Sequence, residues 1–362
     1  AGQEARCLMG LAHGTVKHFG LHRLDHVELR VVADDETGIL RVEQAEMDVV
    51  GRLSGDPRWQ HKTVTLFVLS DLQPLQRQLE ALGLRPADVR LQERDELLSR
   101  PVLNVYDLAS PATCNVFVNR KAMTEAKYWE DSLALEGLFA HEHAHPLSEC
   151  AYTAALRALR IEVQLKLDVP WAQDPAQDAN WAARSNQQIG ALAAKLFSTG
   201  AREVFTNGIA VAAGFDRALY HLNRENIANL TLGLRFRPAL AAQLANVVAQ
   251  GQLSSAGADM LRLIGDMQAF LPLAMEIAPF KREHFVAKAR ELLRPLHGQL
   301  LPQLEPPVAG LFDDLVDLYA RADEAATGEQ VRADVERGLA RLAQALAEVG
   351  ATLAYRVEEV SM

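Results

Sequence analysis

The sequence predicts an α+β fold that is predominantly helical. Short segments rich in Val, Leu and Thr, with partial alternation of apolar and polar residues, are concentrated in the first 120 residues and are typical of β-strands. From about Glu125 onward, apolar residues recur at helical spacing, and proline and glycine separate the helical segments. The expected order is a small N-terminal α/β module, a short edge strand and a helical C-terminal region.

The N-terminal module is predicted to span residues 1–110. A helix is expected at 73–85, where "LQPLQRQLEALGL" has apolar residues at helical spacing. We expect the module to be a scaffold or a propeptide-like extension rather than to take part directly in catalysis. Its predicted strands are "HVELRVVA" (26–33), "GILRVEQAEMDVV" (38–50), "KTVTLFVLS" (62–70) and "PVLNVYDLA" (101–109).

The second predicted domain, residues 111–362, begins with a short strand, "TCNVFVNR" (113–120). The segments after it have helical periodicity, including "AYTAALRALRIEVQLKL" (151–167) and "EQVRADVERGLARLAQALAEVG" (329–350). The last segment, "ATLAYRVEEV" (351–360), has the composition of a strand again. We therefore expect a mainly helical region that one strand precedes and another follows.

Composition narrows the class of protein and of partner. A content of 49% hydrophobic and 23% charged residues is ordinary for a folded chain. A net charge of -10 and a pI near 5.6 argue against a nucleic acid or an anionic membrane as the main partner, since no excess of Lys and Arg exists to neutralise phosphates. No apolar run approaches the roughly 20 residues that span a bilayer.

Three cysteines, an odd and sparse set, do not suggest a disulfide framework and favour a reducing compartment. We therefore expect a cytoplasmic location, with a removed leader as the alternative because the chain begins at Ala1. The oligomeric state stays open.

The motif "HEHAH" (141–145) is the strongest chemical signal in the chain. Apolar residues at 135, 138 and 139 predict a helix that continues into it, which places His141 and His145 four residues apart on one face. Two such imidazoles can bind one Zn²⁺, and Glu142 at the edge of that face can take a proton from a bound water. Pro146 is expected to bend or end the helix.

The motif has three other interpretations. His143 points away from the face of His141 and His145, so a polar supporting role or a surface position is preferred over a third ligand. The pair His141-x-His143 is similar to the H-x-H of amidohydrolase barrels, but that motif follows a strand and precedes repeated βα units, neither of which is predicted here. Chance is the remaining alternative in a chain with eleven histidines.

A third metal ligand is predicted in "GAREVFTNGIAVAAGF" (200–215). Glu203 and Asn207 lie one turn apart among apolar residues that indicate a buried helix. A carboxylate there is costly unless it is paired or bound to a cation. The alternative is that Glu203 caps the helix or forms a salt bridge near its start after Gly200.

"HEHAH" followed downstream by E-x-x-x-N resembles the gluzincin metallopeptidases, the thermolysin-like group, over residues 113–215. The resemblance implies zincin-like active-site helices and one zinc ion per chain, held by His141, His145 and Glu203, with Glu142 as the general base. It also implies that Asn207 stands where the family has an Asp that orients a ligand histidine. The strand at 113–120 would be the edge strand that aligns a peptide substrate by β-addition.

The chain departs from the family pattern in its spacing and at one position. Glu203 follows His145 by 58 residues, so an inserted helical segment at about 150–185 is assumed. Asn replaces Asp at 207, which weakens the electrostatic support of the histidine. An alternative alignment of "TNGIA" would place Asn207 at the ligand position, but Asn is a poor zinc ligand, so Glu203 is preferred.

The resemblance implies a zinc-dependent hydrolase, a metallopeptidase acting on peptide or protein substrates. A second electrophile usually stabilises the oxyanion in such a reaction. His221 is the candidate for this role, with Tyr220, Tyr128 and Tyr152 as alternatives. The other interpretation of His221 is an ordinary surface histidine. Two other functions stay open. One is a zinc hydrolase of a non-peptide substrate, and the other is a metal-free helical interaction or scaffold protein.

Overall fold

The computed structural model describes residues 16–70, 100–106 and 111–360. The fold is α+β and 63% helical, which confirms the predicted class. The chain forms two compact units. The first consists of the described residues up to Leu147 together with Ala212–Leu222, and the second of Ser148–Val211 and the chain from Asn223 onward.

A five-stranded mixed sheet with the strand order β1-β2-β3-β5-β4 organises the first unit. Strands β2, β3 and β5 are parallel to one another, whereas β1 and β4 run antiparallel to β2 and β5. The predicted strands that begin at residues 26, 62, 101 and 113 are confirmed, and β1 is an addition that the sequence did not predict. The strands are β1 (His18–Leu24), β2 (Val27–Ala33), β3 (Thr63–Leu69), β4 (Val102–Tyr106) and β5 (Thr113–Asn119).

The prediction of a strand at 38–50 is wrong, because this segment lies in helix α1 (Ile39–Leu53). Its buried residues include Ile39, Val42, Val49 and Leu53, which recur at helical spacing. Since β2 and β3 are parallel, the chain between them must cross over the sheet, and a helix is the usual connection. The Val and Ile content favoured a strand locally, but the connection required a helix.

The expected edge position of the strand at 113–120 is also wrong. Strand β5 lies between β3 and β4, and β4 is the end of the sheet in the part of the chain that the structure describes. Strand order depends on pairings between segments distant in sequence, which local composition does not encode. Because β5 is hydrogen-bonded to β3 and β4, the first unit continues past residue 110. The helix predicted at 73–85 lies outside the described residues.

Two further helices of the first unit follow the sheet, α2 (Arg120–Glu125) and α3 (Ser132–Ala144). Helix α3 packs along α1 and also against the segment that contains Ala218. A Cβ atom at Gly137 of α3 would lie 3.1 Å from the carbonyl oxygen of Ala218. Glycine at this position therefore allows the close approach of the two backbones.

The second unit is mainly helical and contains one two-stranded antiparallel sheet. The prediction of helix throughout 151–167 is half right. Helix α4 (Ala151–Arg157) is followed by strand β6 (Leu159–Leu167), which pairs with β7 (Ala351–Glu359). The partner strand is nearly two hundred residues away, so helical periodicity at 151–157 could not indicate where the helix ends. Strand β7 itself is confirmed.

The remaining helices follow one another with short turns of 3₁₀ or π geometry between some of them. No helix among the described residues combines the length and apolarity needed to cross a bilayer. The helices are α5 (Pro175–Ala194), α6 (Gly200–Ala210), α7 (Asp216–Gly233), α8 (Arg237–Ala249), α9 (Ser255–Phe270), α10 (Leu273–Arg282), α11 (Val286–Pro295), α12 (Pro306–Ala320) and α13 (Gly328–Ala347).

Candidate metal centre

The "HEHAH" motif lies in the last turn of helix α3, as the sequence predicts. The helix begins at an N-cap, Asp131, whose carboxylate accepts hydrogen bonds from the backbone N–H groups of Leu133 and Ala134. It ends at Ala144, and Pro146 starts a short 3₁₀ turn. The proline therefore coincides with the helix end, because its ring cannot continue the α-helical hydrogen bonding.

The two histidines four residues apart share one face of α3. The ring centroids of His141 and His145 are 4.6 Å apart, with an angle of 79° between the ring planes. Such an edge-to-face arrangement allows a nitrogen of each ring to face a common point. The four-residue spacing therefore places His141 and His145 on one face of the helix, as expected.

The three predicted ligands come together. Ligand atoms of His141, His145 and Glu203 all lie within 4.8 Å of one another, and the three side chains are half-buried. Across residues 16–70, 100–106 and 111–360, no other group of three or more His, Cys, Asp or Glu residues converges in this way. Two imidazoles and one carboxylate are a donor set that suits catalytic zinc, with a fourth position for water.

Glu203 does not cap a free helix start. Helix α5 continues through a π turn at 195–199 into α6, and Thr199 before α6 has helical backbone angles (φ -84°, ψ -35°). The first N–H groups of α6 therefore belong to a continuous helical run rather than to an exposed helix end. This geometry weakens the capping alternative for Glu203.

Asn207 lies one turn after Glu203 on α6 and is buried, with 8% of its surface exposed. Because it is buried, the Asn207 amide needs hydrogen-bond partners. Its expected role, the orientation of a ligand histidine, stays a prediction.

The structure does not bring His221 to the motif. Its Nε2 atom lies 2.6 Å from Oδ2 of Asp131, the N-cap of α3. Asp131 precedes Glu142 by about three helical turns, which corresponds to roughly 16 Å along the helix axis. His221 therefore supports the beginning of the motif helix, and its expected role as an oxyanion-stabilising residue does not fit this position. Tyr152, one alternative, is buried with its ring against Phe205.

The middle histidine is buried, so the surface alternative for His143 is wrong. Its side chain is fully inaccessible, and its Nε2 atom lies 2.7 Å from Oε1 of Glu46, which is also fully inaccessible. Burial alone would lower the pKa of His143, but the Glu46 carboxylate and Cys114 raise it to about 10. His143 therefore anchors α3 to α1 through a buried ion pair.

Two residues that contact the motif, Asn104 and Glu46, are not among the predicted site residues. Asn104 of β4 donates from Nδ2 to the main-chain oxygen of Glu142 at 2.9 Å, and its Oδ1 accepts from Sγ of Cys114 at 3.0 Å. Glu46 lies on the buried face of α1. In the sequence, Asn104 and Glu46 each interrupt a pattern of apolar residues. Such an interruption indicates a polar contact, because buried polar groups need partners.

Comparison of the chain with models of known protein families, with curated proteins and with solved structures gives no match.

Proposed function

We propose that this chain is a zinc-dependent hydrolase that cleaves peptide bonds, a metallopeptidase of the gluzincin kind. The observation that carries the proposal is the convergence of His141, His145 and Glu203, whose ligand atoms lie within 4.8 Å of one another. The resemblance to the gluzincins depends on spacing along the sequence, whereas the proximity of the three side chains depends on the fold. Each therefore supports the proposal separately. One ion per chain would be held by these three side chains.

Glu142 is the general base in this proposal. It follows His141 directly on α3, at the edge of the ligand face, where a carboxylate reaches a water without binding the ion itself. Zinc, when bound, supplies a Lewis acid for the scissile carbonyl and lowers the pKa of its water toward about 7. Glu142 takes the proton of the attacking water and passes it to the nitrogen of the leaving amine.

Asn207 and Asn104 support these groups in the proposal. Asn207, buried on α6, would accept the second N–H of a ligand histidine through its side-chain oxygen. Asn104 holds the main chain of Glu142 by the 2.9 Å hydrogen bond from its amide. His221 is not included, because it pairs with Asp131.

We place the peptide substrate along β4 rather than along β5. Strand β4 is the outermost strand on its side of the described sheet, and Asn104 links it to the residue proposed as the base. An extended peptide can add to the open edge of such a strand through main-chain hydrogen bonds. β-Addition at β4 would carry a scissile bond past the last turn of α3.

Metal analysis combined with peptide hydrolysis tests the proposal. The purified chain, supplied with zinc and then dialysed, should retain about one ion, and His141→Ala, His145→Ala and Glu203→Gln should each lose it. Glu142→Gln should retain the ion and lose hydrolysis of a mixed peptide library. Glu136→Gln, on the same helix but outside the motif, is the matched control and should retain both.

The outcomes separate the competing functions. A chain that retains no zinc is the metal-free interaction or scaffold protein, and the proposal is then wrong. Retained zinc without peptide cleavage would indicate a hydrolase of another substrate class. Full activity of Glu142→Gln would show that the base is a different residue.

A further inference from the structure

Strand β1 presents an exposed face at the outer edge of the five-stranded sheet. Among the described residues, β2 is its single neighbour in the sheet. The inner face of β1 packs on α1, where His18 and His22 both contact the carboxylate of Glu43. The outer face consists of alternate residues that are all exposed, namely Phe19, Leu21 and Arg23 of the strand and Lys17 just before it.

Two large apolar side chains at the centre of this outer face are unusual for an open edge. Phe19 is 50% exposed and Leu21 is 53% exposed. An edge strand also carries backbone N–H and C=O groups that point away from its neighbour and can pair with another strand. The combination favours the addition of a further strand, since pairing covers the apolar side chains and satisfies the backbone groups together.

The outer face is complementary to itself. Leu21 is the central residue of β1, which runs from His18 to Leu24. If a second β1 lies antiparallel with a two-fold axis at Leu21, residues equally distant from Leu21 lie opposite each other. Arg23 then faces Phe19 of the second copy, and the two Leu21 side chains meet.

Each of these opposed pairs is favourable. A guanidinium over an aromatic ring and two leucines in contact are attractive cross-strand pairs. The two-fold axis repeats the pair of Arg23 and Phe19, and this register sets no two like charges opposite each other. An isologous interface between two copies requires such self-complementarity, whereas the binding of an unrelated peptide does not.

We infer that β1 is a homodimerisation strand, at which two copies of the chain pair antiparallel about Leu21 and join their sheets. The inference is independent of the proposed metal chemistry. Because the paired strands are only seven residues long, the interface is small and the association is expected to depend on protein concentration.

Sedimentation velocity of the full chain over a concentration series tests the inference. The wild type should shift from monomer to dimer as its concentration rises. Leu21→Arg sets two arginines against each other at the two-fold axis and should leave a monomer at every concentration. Leu40→Arg, at a 73% exposed position on α1, is the matched control and should dimerise like the wild type.

A residue exchange tests the register. Phe19→Arg brings two arginines together at both ends of the pair and should abolish the dimer. The double variant Phe19→Arg/Arg23→Phe exchanges the partners and should restore it. Circular dichroism checks that all variants are folded, which is expected because the changed side chains are exposed. A wild type that stays monomeric, a Leu21→Arg variant that still dimerises, or an exchange that fails to restore the dimer would each overturn the inference.

Discussion

The side-chain amide of Asn104 lies 2.9 Å from the main-chain oxygen of Glu142 and donates a hydrogen bond to it. This oxygen belongs to the last turn of α3, where it also accepts a hydrogen bond from the backbone N–H of His145 at 3.4 Å. The residue four positions after Glu142 is Pro146, which has no N–H to donate. Asn104 thereby connects β4, where the substrate is proposed to bind, to the backbone of the proposed base. This bond fixes the position of β4 relative to the last turn of α3.

Asn104→Leu is expected to lower kcat roughly ten- to a hundredfold, because a small displacement of the base relative to the substrate is enough for such a loss. Zinc content should be unchanged, since Asn104 contacts the main chain and not a proposed ligand. Steady-state kinetics with metal analysis would measure both. Asn115→Leu, a matched change in the adjacent strand β5, should leave kcat near that of the wild type. Equal losses in the two variants would contradict a positioning role for Asn104.

Glu46→Leu is expected to lower the free energy of unfolding by about 3–5 kcal/mol, because it leaves the buried His143 without its charged partner. Urea denaturation would measure the change. Asp48→Leu, at an exposed position on the same helix, should change the stability by no more than about 0.5 kcal/mol. The double variant Glu46→Leu/His143→Leu should be more stable than Glu46→Leu alone. A loss below about 1 kcal/mol for Glu46→Leu would argue against a structural ion pair.

Gly137→Ala is expected to destabilise the chain by about 1–3 kcal/mol, since the new methyl group would lie 3.1 Å from the carbonyl oxygen of Ala218. Gly190→Ala provides the comparison, because that glycine also lies inside a helix but has no heavy atom within 4 Å of the added Cβ. There the loss of backbone freedom in the unfolded chain should stabilise the protein by about 0.4–1 kcal/mol. Thermal unfolding of both variants would show opposite shifts in Tm, and shifts of the same sign would contradict the close packing of α3.

His61 is expected to reduce stability at acidic pH. Burial lowers the pKa of His61 to about 4, and its Nδ1 atom donates to the carbonyl oxygen of Pro111 at 2.6 Å. In the unfolded chain the pKa returns to about 6.5, so the unfolded state binds the proton first as the pH falls. Stability is therefore complete above about pH 6.5 and decreases toward pH 4, by on the order of 3 kcal/mol.

Denaturation curves of the wild type and of His61→Gln between pH 7 and pH 4 would measure this contribution, because other titrating groups act equally in both proteins. The variant should lose less stability over this interval than the wild type. Identical slopes for the wild type and His61→Gln would refute the role of His61.

Sequence reasoning succeeded where a pattern is local. Strands β2 and β3 follow from their β-branched composition, and the motif helix follows from apolar residues three and four positions apart. It failed where a distant partner decides the conformation. Helix α1 is rich in valine, but its position between two parallel strands makes it a crossover. Strand β6 ends a helical pattern because β7, at the far end of the chain, pairs with it.

By itself, the sequence determined which residues could serve as ligands and base, because His141, Glu142 and His145 are related by the repeat of a single helix. Only the tertiary structure decided that Glu203 meets them, that His143 is buried against Glu46, and that His221 pairs instead with Asp131. It also decided that β4, and not β5, is the outermost strand on that side of the sheet among the described residues. The physical reason is the same in each case. Spacing along a helix is a property of the local backbone, whereas contacts between segments depend on how the whole chain buries its apolar surface and satisfies its buried polar groups.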